Sequence, residues 1–154
     1  MAIEFRSSRL DTGDGEQLVS AMAAELYELY DGLDLNDESM PKASASELGP
    51  PDGDFLVGYE DGLAVCCGGL KRLPDGAAEI KRMFVVPGAR GRGMARTLLL
   101  ALEDRARAMG FTIVRLDTGP KQPRASALYR SAGYAEIDNF NGNPIADYFG
   151  EKRL

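Results

Sequence analysis

The chain has 154 residues with 18 basic and 24 acidic side chains, a net charge of −6, and no histidine. This length is typical of a single domain that buries roughly two-thirds of its extended-chain surface. No apolar run approaches the ~20 residues of a membrane helix, and residues 1–10 lack the apolar core of a signal peptide, so we expect a cytoplasmic protein with no membrane partner.

The first part of the chain predicts a strand, a helix and a polar connection. We expect an edge strand at residues 3–7 and an amphipathic helix within residues 14–30, where leucine and methionine recur at helical spacing. Residues 31–51 are polar and predict at most one turn of helix, at residues 44–48.

Three strands are expected to follow as a meander. Apolar runs at residues 55–59 and 63–70 flank Glu60-Asp61-Gly62, whose Asp-Gly pair favours a tight hairpin. Pro74-Asp75-Gly76 predicts a second hairpin, which leads into a strand that begins at Ala78.

A glycine-rich turn, Arg90-Gly91-Arg92-Gly93-Met94-Ala95, separates the apolar run at residues 83–86 from a helical pattern over residues 95–109. Such a turn gathers backbone N–H groups at a helix N-terminus, where the dipole adds positive potential. The turn therefore suits a pyrophosphate, and three arginines could pair with its oxygens. The spacing is neither that of a P-loop nor that of a dinucleotide fingerprint. The three arginines are Arg90, Arg92 and Arg96.

The end of the chain predicts a strand at residues 112–118, a helix over residues 122–129 and two short strands. The segment between those two strands is rich in asparagine and favours turns. The order of all these elements is typical of a mixed sheet flanked by helices. The last two strands are expected at residues 134–137 and 146–149.

Three motifs follow one another in the second half of the chain. Arg-x-x-Gly-x-Ala, which ends at Ala95, follows Val85-Val86-Pro87 with two residues between them. The later helix reads Gln-x-x-Ala-x-x-Leu-Tyr from Gln122, and it is followed by Ala132-Gly133-Tyr134. Together these motifs resemble the acetyl-CoA signature and the Asn-x-x-Ala-x-x-Leu-Tyr helix of the GCN5-related N-acetyltransferases, the GNAT superfamily. Gln122 stands where asparagine is more usual, and it keeps the carboxamide.

The resemblance implies an α+β fold with α/β/α layers. Its central sheet would be mixed but mostly antiparallel, with six to seven strands, and about four helices would flank it. Residues 1–154 would then be a single acyl-CoA N-acyltransferase domain that binds acetyl-CoA as cosubstrate and needs no metal. The residues implied to bind that cosubstrate, through backbone or side chain, are Met83, Val85, Arg90, Gly91, Arg92, Gly93, Met94, Ala95, Arg96 and Gln122.

Acetyl transfer to an amine needs a base for the amine and an acid for the departing thiolate. An alkyl ammonium has a pKa near ~10.4, and the chain has no histidine to deprotonate it. By resemblance, Glu79 would act as the base, often through water, and Tyr129 as the acid near the sulfur. The alternatives are that Glu79 is an exposed strand-end residue or a partner of Lys81, and that Tyr129 is an ordinary buried aromatic.

Other residues allow further roles that the sequence supports less well. Cys66 and Cys67 could be nucleophiles, but without histidine they are expected to be core residues in a reducing compartment. The acidic run 34–38 could contact a cation or be a solvated loop, and it lacks the pattern of a calcium loop. Aromatic residues could line the acceptor cleft or belong to the core. These aromatic residues are Tyr27, Tyr30 and Phe140.

The distribution of charge bears on the acceptor. Residues 1–61 carry 3 basic and 15 acidic side chains, whereas residues 71–130 carry 13 basic and 5 acidic ones. The acidic half could attract a cationic small molecule or peptide amine, or it could simply be solvated surface. We expect direct attack of a primary amine in a ternary complex; the alternative is a non-catalytic acyl-CoA sensor or partner module. Nucleic acid is disfavoured because the chain is acidic overall, and the resemblance allows a homodimer.

Overall fold

The computed structural model describes residues 2–154. The helices and strands, in chain order, are β1 (Glu4–Ser7), α1 (Gly13–Leu29), β2 (Asp54–Glu60), β3 (Leu63–Arg72), β4 (Ala78–Val85), α2 (Met94–Ala108), β5 (Ile113–Thr118), α3 (Pro123–Ser131), β6 (Ala135–Glu136) and β7 (Tyr148–Arg153). The strands form one sheet in the order β1-β2-β3-β4-β5-β7-β6. Among the strands of the described residues only the β4–β5 pair is parallel, so the predicted mixed, mostly antiparallel sheet is confirmed.

The helices differ in number from the expectation of about four. The described part of the chain has three α-helices and a short 3-10 helix, Pro87–Ala89, just after β4. Residues 44–48 make one isolated turn, in which the Leu48 N–H donates to the Ser44 carbonyl at 3.0 Å. This turn cannot lengthen into a helix, because Gly49 and Pro50 follow it. None of the helices within residues 2–154 is long and apolar enough to cross a membrane.

Both predicted hairpins are confirmed. Asp61 and Gly62 both have positive φ, 52° and 79°, as a two-residue type I′ turn between β2 and β3 requires. Between β3 and β4 the Leu73 N–H donates to the Ala77 carbonyl at 2.8 Å and closes the turn at Gly76. These turns place β4 in the middle of the sheet.

The sheet opens between β4 and β5. These strands pair only at Ala78↔Val114 and Glu79↔Arg115, although β4 runs on to Val85. A register irregularity between β3 and β4 accompanies Arg82, whose φ is 58°. Bulges of this kind bend and twist a strand, so the second half of β4 turns away from β5. Backbone groups on that side of β4 are left without a strand partner.

The two faces of the sheet carry separate cores. Leu98, Leu99 and Leu102 of α2 are fully buried on one face, and Leu18 and Met22 of α1 are buried on the other. The expected α/β/α layering is therefore present. The alternation of β3 places its two cysteines, at positions 66 and 67, in opposite cores.

Burial gives both thiols the character of core residues. Desolvation raises the pKa of Cys66 to about 11 and that of Cys67 to about 12. Neither thiol is ionised at neutral pH, which argues against a nucleophilic role.

The last strand lies further along the chain than its apolar residues indicated. We predicted residues 146–149, but β7 extends to Arg153 and pairs with β5 over its whole length. Its charged residues are retained in the sheet because they have partners. Glu151 pairs with Arg115, and Lys152 reaches the buried carboxylate of Glu103 on α2 at 3.0 Å. The preceding strand, β6, covers only Ala135–Glu136, whereas residues 134–137 were predicted.

Replacing Glu103 by alanine should destabilise the protein by about 3 kcal/mol. Its carboxylate, 1% exposed, accepts hydrogen bonds from the Tyr134 hydroxyl at 2.8 Å and from Lys152. The substitution leaves both donors without their partner; Lys152 can still reach water, so the loss falls at the low end for a broken buried pair. Urea unfolding measures it. Asp104→Ala, at the exposed neighbouring position, should change the free energy of unfolding by a few tenths of a kcal/mol; an equal loss in both variants would contradict this role.

Candidate active site

A groove of about 550 Å³ lies against the open side of β4, between α1, α3 and the N-terminus of α2. It brings together most of the predicted cofactor residues and one predicted catalytic residue. Arg92, Arg96 and Glu79 do not line it. The predicted residues that do are Met83, Val85, Arg90, Gly91, Gly93, Met94, Ala95, Gln122 and Tyr129.

The turn ahead of α2 presents a run of backbone donors. Gly91 and Gly93 have φ of 83° and 76°, a conformation that side chains disfavour, and Gly93 caps the helix. The first helical bond is donated by Thr97, to the Gly93 carbonyl at 3.1 Å. Within the described residues, the six N–H groups from Gly91 to Arg96 donate to no backbone acceptor. This cradle is suited to a diphosphate.

Each of the three arginines contacts a group of the protein itself. Arg90 pairs with Glu25 of α1 at 2.8 Å and donates through Nε to the Val85 carbonyl at 2.9 Å. Arg92 forms a bidentate pair with Glu60, with distances of 2.8 and 3.0 Å. Arg96 donates to a serine hydroxyl of α3 at 2.6 Å. A phosphate at this turn would therefore compete with two carboxylates for Arg90 and Arg92.

Tyr129 is buried at the inner end of the groove. Its hydroxyl donates to the Met83 thioether, with 3.8 Å between oxygen and sulfur, and its ring stacks on Tyr148 at 6.4 Å. Burial raises the pKa of Tyr129, so the phenol keeps its proton. Because a thioether is a weak acceptor, this proton is available to a stronger one.

Glu79 is buried near the start of β4, which excludes the alternative of an exposed strand-end residue and agrees with the alternative of a partner of Lys81. Lys81 lies 3.3 Å from its carboxylate, and Asn141 donates to it at 2.7 Å. The same amide also donates to Asp117 at 2.8 Å. Burial raises the pKa of Glu79, while Lys81 and Asn141 oppose the shift. Glu79 lines a neighbouring depression rather than the groove.

A second, smaller cavity of about 130 Å³ continues from the groove past Tyr129 and Met83, which line both. Polar and apolar groups contribute about equally to its surface, and Leu35 is contributed by the polar connection after α1. The acidic side chains of that connection do not line it. Asp34 and Asp37 instead accept hydrogen bonds from backbone N–H groups two residues further on, at 2.9 Å.

Comparison with known proteins decides the family. The profile of the Acetyltransferase (GNAT) family matches residues 20–134. The chain belongs to this family.

Two relatives named as acetyltransferases align along most of the chain. It is 39% identical over 141 residues to the "IAA acetyltransferase" of Azospirillum brasilense, covering 90% of this chain and 89% of that protein. It is 32% identical over 124 residues to the N-alpha-acetyltransferase RimI of Mycobacterium tuberculosis, covering 78% and 77%. The chain is therefore an acetyl-CoA-dependent acyltransferase of the GNAT family.

A solved structure supports the fold. The PaiA N-acetyltransferase of Thermoplasma acidophilum, determined in complex with coenzyme A, superposes with a TM-score of 0.73 at 21% identity over 100% of both chains.

Several residues of this GNAT protein's site were missed in the sequence. Asp117 and Arg82 line the small cavity, and Asn141 and Asn143 each donate to the Asp117 carboxylate, at 2.8 and 3.1 Å. Arg82 was missed because the bulge interrupts the alternation of β4. The Asp117 side chain had a weak signal, as an acidic residue inside an apolar strand.

The three aromatic candidates have different positions. Tyr30 lines the cavity, and its hydroxyl donates to Gln122 at 3.1 Å. Tyr27 is 55% exposed, and Phe140 packs edge-on against Phe149 at 6.0 Å. Tyr30 therefore joins the C-terminus of α1 to the start of α3. Among residues 2–154, no group of three or more His, Cys, Asp or Glu side chains is placed to hold a metal ion.

Proposed function

We propose that residues 1–154 form a single acyl-CoA N-acyltransferase domain that moves the acetyl group of acetyl-CoA to a primary amine. The amine attacks directly, in a ternary complex. The observation that carries this proposal is the position of the Tyr129 hydroxyl, which lies where the groove and the small cavity meet. The acceptor is a small molecule or peptide whose amine is protonated, and therefore cationic, before it binds.

The residues present suit acetyl-CoA, which supplies the acetyl thioester. Backbone N–H groups from Gly91 to Arg96 would hold the diphosphate, and Arg90 and Arg92 would add charge when they leave Glu25 and Glu60. The edge of β4 at Met83 and Val85, which has no strand partner, would pair with the amides of pantetheine once Arg90 releases the Val85 carbonyl. The Gln122 carboxamide, held by Tyr30, would supply a further contact.

Protons must be moved at two points of the reaction. The bound ammonium loses one proton before it attacks, and Glu79 accepts it through water, while Asn141 donates to both Glu79 and Asp117 and holds the two carboxylates in place. The nitrogen loses a second proton as its bond to the acetyl carbon forms, and this proton replaces the one that Tyr129 gives up. The bond between the acetyl carbon and sulfur then breaks, and the departing thiolate takes a proton from Tyr129. A phenol held protonated by burial can supply that proton, because the thiol formed has a pKa near ~8.5.

Calorimetry with CoA tests the cosubstrate half of this proposal. We expect the wild-type protein to bind CoA, and Gly93→Ala to bind it about tenfold more weakly, because an alanine at φ 76° costs roughly 1–2 kcal/mol and displaces the N–H groups of the turn.

Gly110→Ala is the matched control for this substitution. Gly110 follows the other end of α2, has φ of 90° and, like Gly93, has open space around a new Cβ. Both variants should lose similar stability, but only Gly93→Ala should lose CoA affinity. No binding to the wild-type protein would refute the proposal, and equal affinity in the two variants would refute the role of the turn.

A further inference from the structure

Arg82 has no anionic partner among residues 2–154. It lies at the β4 bulge and lines the small cavity beside Tyr129. Among residues 2–154, no carboxylate oxygen lies within 4.0 Å of its guanidinium, and its nitrogens donate no hydrogen bond to the protein. Arg82 is partly buried, and an arginine in such a position usually has an anionic partner. Lys81 also lines this cavity, but it forms an ion pair with Glu79, with 3.3 Å between Nζ and Oε2.

Asp117 lines the same cavity and has no cationic partner in the part of the chain that the structure describes. Its Oδ2 accepts hydrogen bonds from the Asn141 and Asn143 amides, at 2.8 and 3.1 Å. No lysine or arginine nitrogen of the described chain lies within 4.0 Å of it. The two asparagine amides are neutral, so they fix the orientation of the carboxylate and leave its charge uncompensated.

One cation and one anion therefore face the same space without pairing with each other. Leu26, Leu33 and Leu35 contribute to the other walls, and interactions between charges are stronger beside apolar surface than in water. Removal from water lowers the pKa of Arg82, while Glu79 and Asp117 oppose that shift from a distance. This environment favours a ligand that brings both a carboxylate and an ammonium group.

We propose that the acceptor is a small amino acid-like molecule, and that Arg82 binds its carboxylate while Asp117 faces its amine. This inference rests on the proposed transfer to a primary amine and names the acceptor class. A guanidinium binds a carboxylate through two parallel hydrogen bonds. The cavity, about 130 Å³, is smaller than the ~300–1,000 Å³ of sites for drug-sized ligands, which favours a single amino acid over a longer peptide.

A polyamine is the less suitable acceptor for this cavity. Its second ammonium group would lie near Arg82, and like charges in a partly apolar site repel each other. The side chain of the acceptor would contact the leucine and methionine side chains that line the cavity. Amino acids with apolar side chains, namely free leucine, methionine and phenylalanine, are therefore the first acceptors to test.

The experiment compares each amino acid with its own carboxamide, following CoA release from acetyl-CoA. The two acceptors share the amine and the side chain and differ in the carboxylate. The carboxamide's amine is the less basic of the two, so the two acceptors are compared at a pH low enough for both amines to be protonated, and a preference for the acid then comes from its carboxylate. We expect the wild-type protein to favour the acids in kcat/KM, and spermidine to be a poorer acceptor than either.

Substitutions of Arg82 test its part in that preference. Arg82→Gln should raise KM for the acids roughly 10- to 100-fold, the range expected for a lost charge-assisted hydrogen bond, and leave KM for the carboxamides unchanged. Arg82→Lys keeps the charge without the bidentate geometry, so its KM for the acids should lie between the values of the wild-type protein and of Arg82→Gln. Arg153→Gln, at an exposed position on β7, is the control and should behave as wild type.

Three results would overturn the inference while leaving the proposed function intact: carboxamides or spermidine used as well as the acids, an equal loss for acid and carboxamide in Arg82→Gln, or no loss in that variant. Failure to acetylate any amine, in protein that binds CoA, would overturn the proposed function and the inference with it. CoA affinity and melting temperature report whether Arg82→Gln is folded. If Arg82→Gln is not folded, the comparison of acid with carboxamide in the wild-type protein tests the inference.

Discussion

Replacing Tyr129 by phenylalanine is expected to lower kcat by roughly 10²-fold or more and to leave CoA affinity nearly unchanged. The hydroxyl has only the Met83 thioether as an acceptor among the described residues, so its loss breaks no strong hydrogen bond. The aromatic ring stays in place against Tyr148 and Tyr134. The loss should therefore appear in turnover, where the thiolate must gain a proton, and be measured as CoA release at saturating substrates.

Tyr148→Phe provides the control, because it removes a hydroxyl from the same aromatic cluster. That hydroxyl donates to the Tyr134 carbonyl at 3.0 Å and does not line the groove or the small cavity. We expect this variant to lose about 1 kcal/mol of stability and to retain its kcat. A protein that bound acyl-CoA without turnover would show no such difference, and equal kcat in Tyr129→Phe and wild type would exclude the phenol as the acid.

Replacing Glu79 by glutamine is expected to lower kcat/KM at neutral pH by roughly 10²-fold and to change its dependence on pH. A base acts only when unprotonated, so activity in the wild-type protein should rise with pH as Glu79 loses its proton. Because burial raises the pKa of Glu79, that rise should lie above the ordinary value near ~4.3. Glutamine cannot accept a proton, so the variant should keep only the rise at higher pH that belongs to the amine itself.

The pH profile of kcat/KM is the measurement that separates this role from a structural one. Glutamine keeps the shape of the side chain and can still contact Asn141, but it leaves the buried Lys81 without its counter-charge. Some stability loss is therefore expected whatever the chemistry. Glu28→Gln, on the exposed face of α1, should match wild type. An unchanged pH profile in Glu79→Gln would indicate that water alone carries the proton from the amine.

Local physical chemistry made much of the cofactor groove predictable. Gly91 and Gly93 have the positive φ values that a tight turn ahead of a helix needs, and the apolar stripe of α2 is buried as its period indicated. Tyr129 lies in the groove with them, although its Leu-Tyr motif is about 35 residues away in the sequence. The family resemblance, rather than periodicity, brought these motifs together.

The acceptor side was predicted less well, because its features depend on contacts between distant segments. The acidic charge of residues 1–61 suggested a cationic acceptor, but the cavity receives Leu33 and Leu35 from that half and none of its carboxylates. The bulge at Arg82 has no sequence signature, since arginine seldom adopts positive φ. Packing of β4 against β3 imposes that conformation, and it changes which side chains face the cavity.

The sequence by itself determined the order of strands and helices, the two hairpins, the buried faces of α1 and α2 and the glycine turn, because each depends on neighbours within a few residues. Only the tertiary structure decided that β4 and β5 separate beyond Glu79, that Asn141 joins Glu79 to Asp117, and that Arg82 and Asp117 face one cavity unpaired. The physical reason is that burial and charge pairing are set by segments far apart in the chain, and their positions follow from packing rather than from local preference.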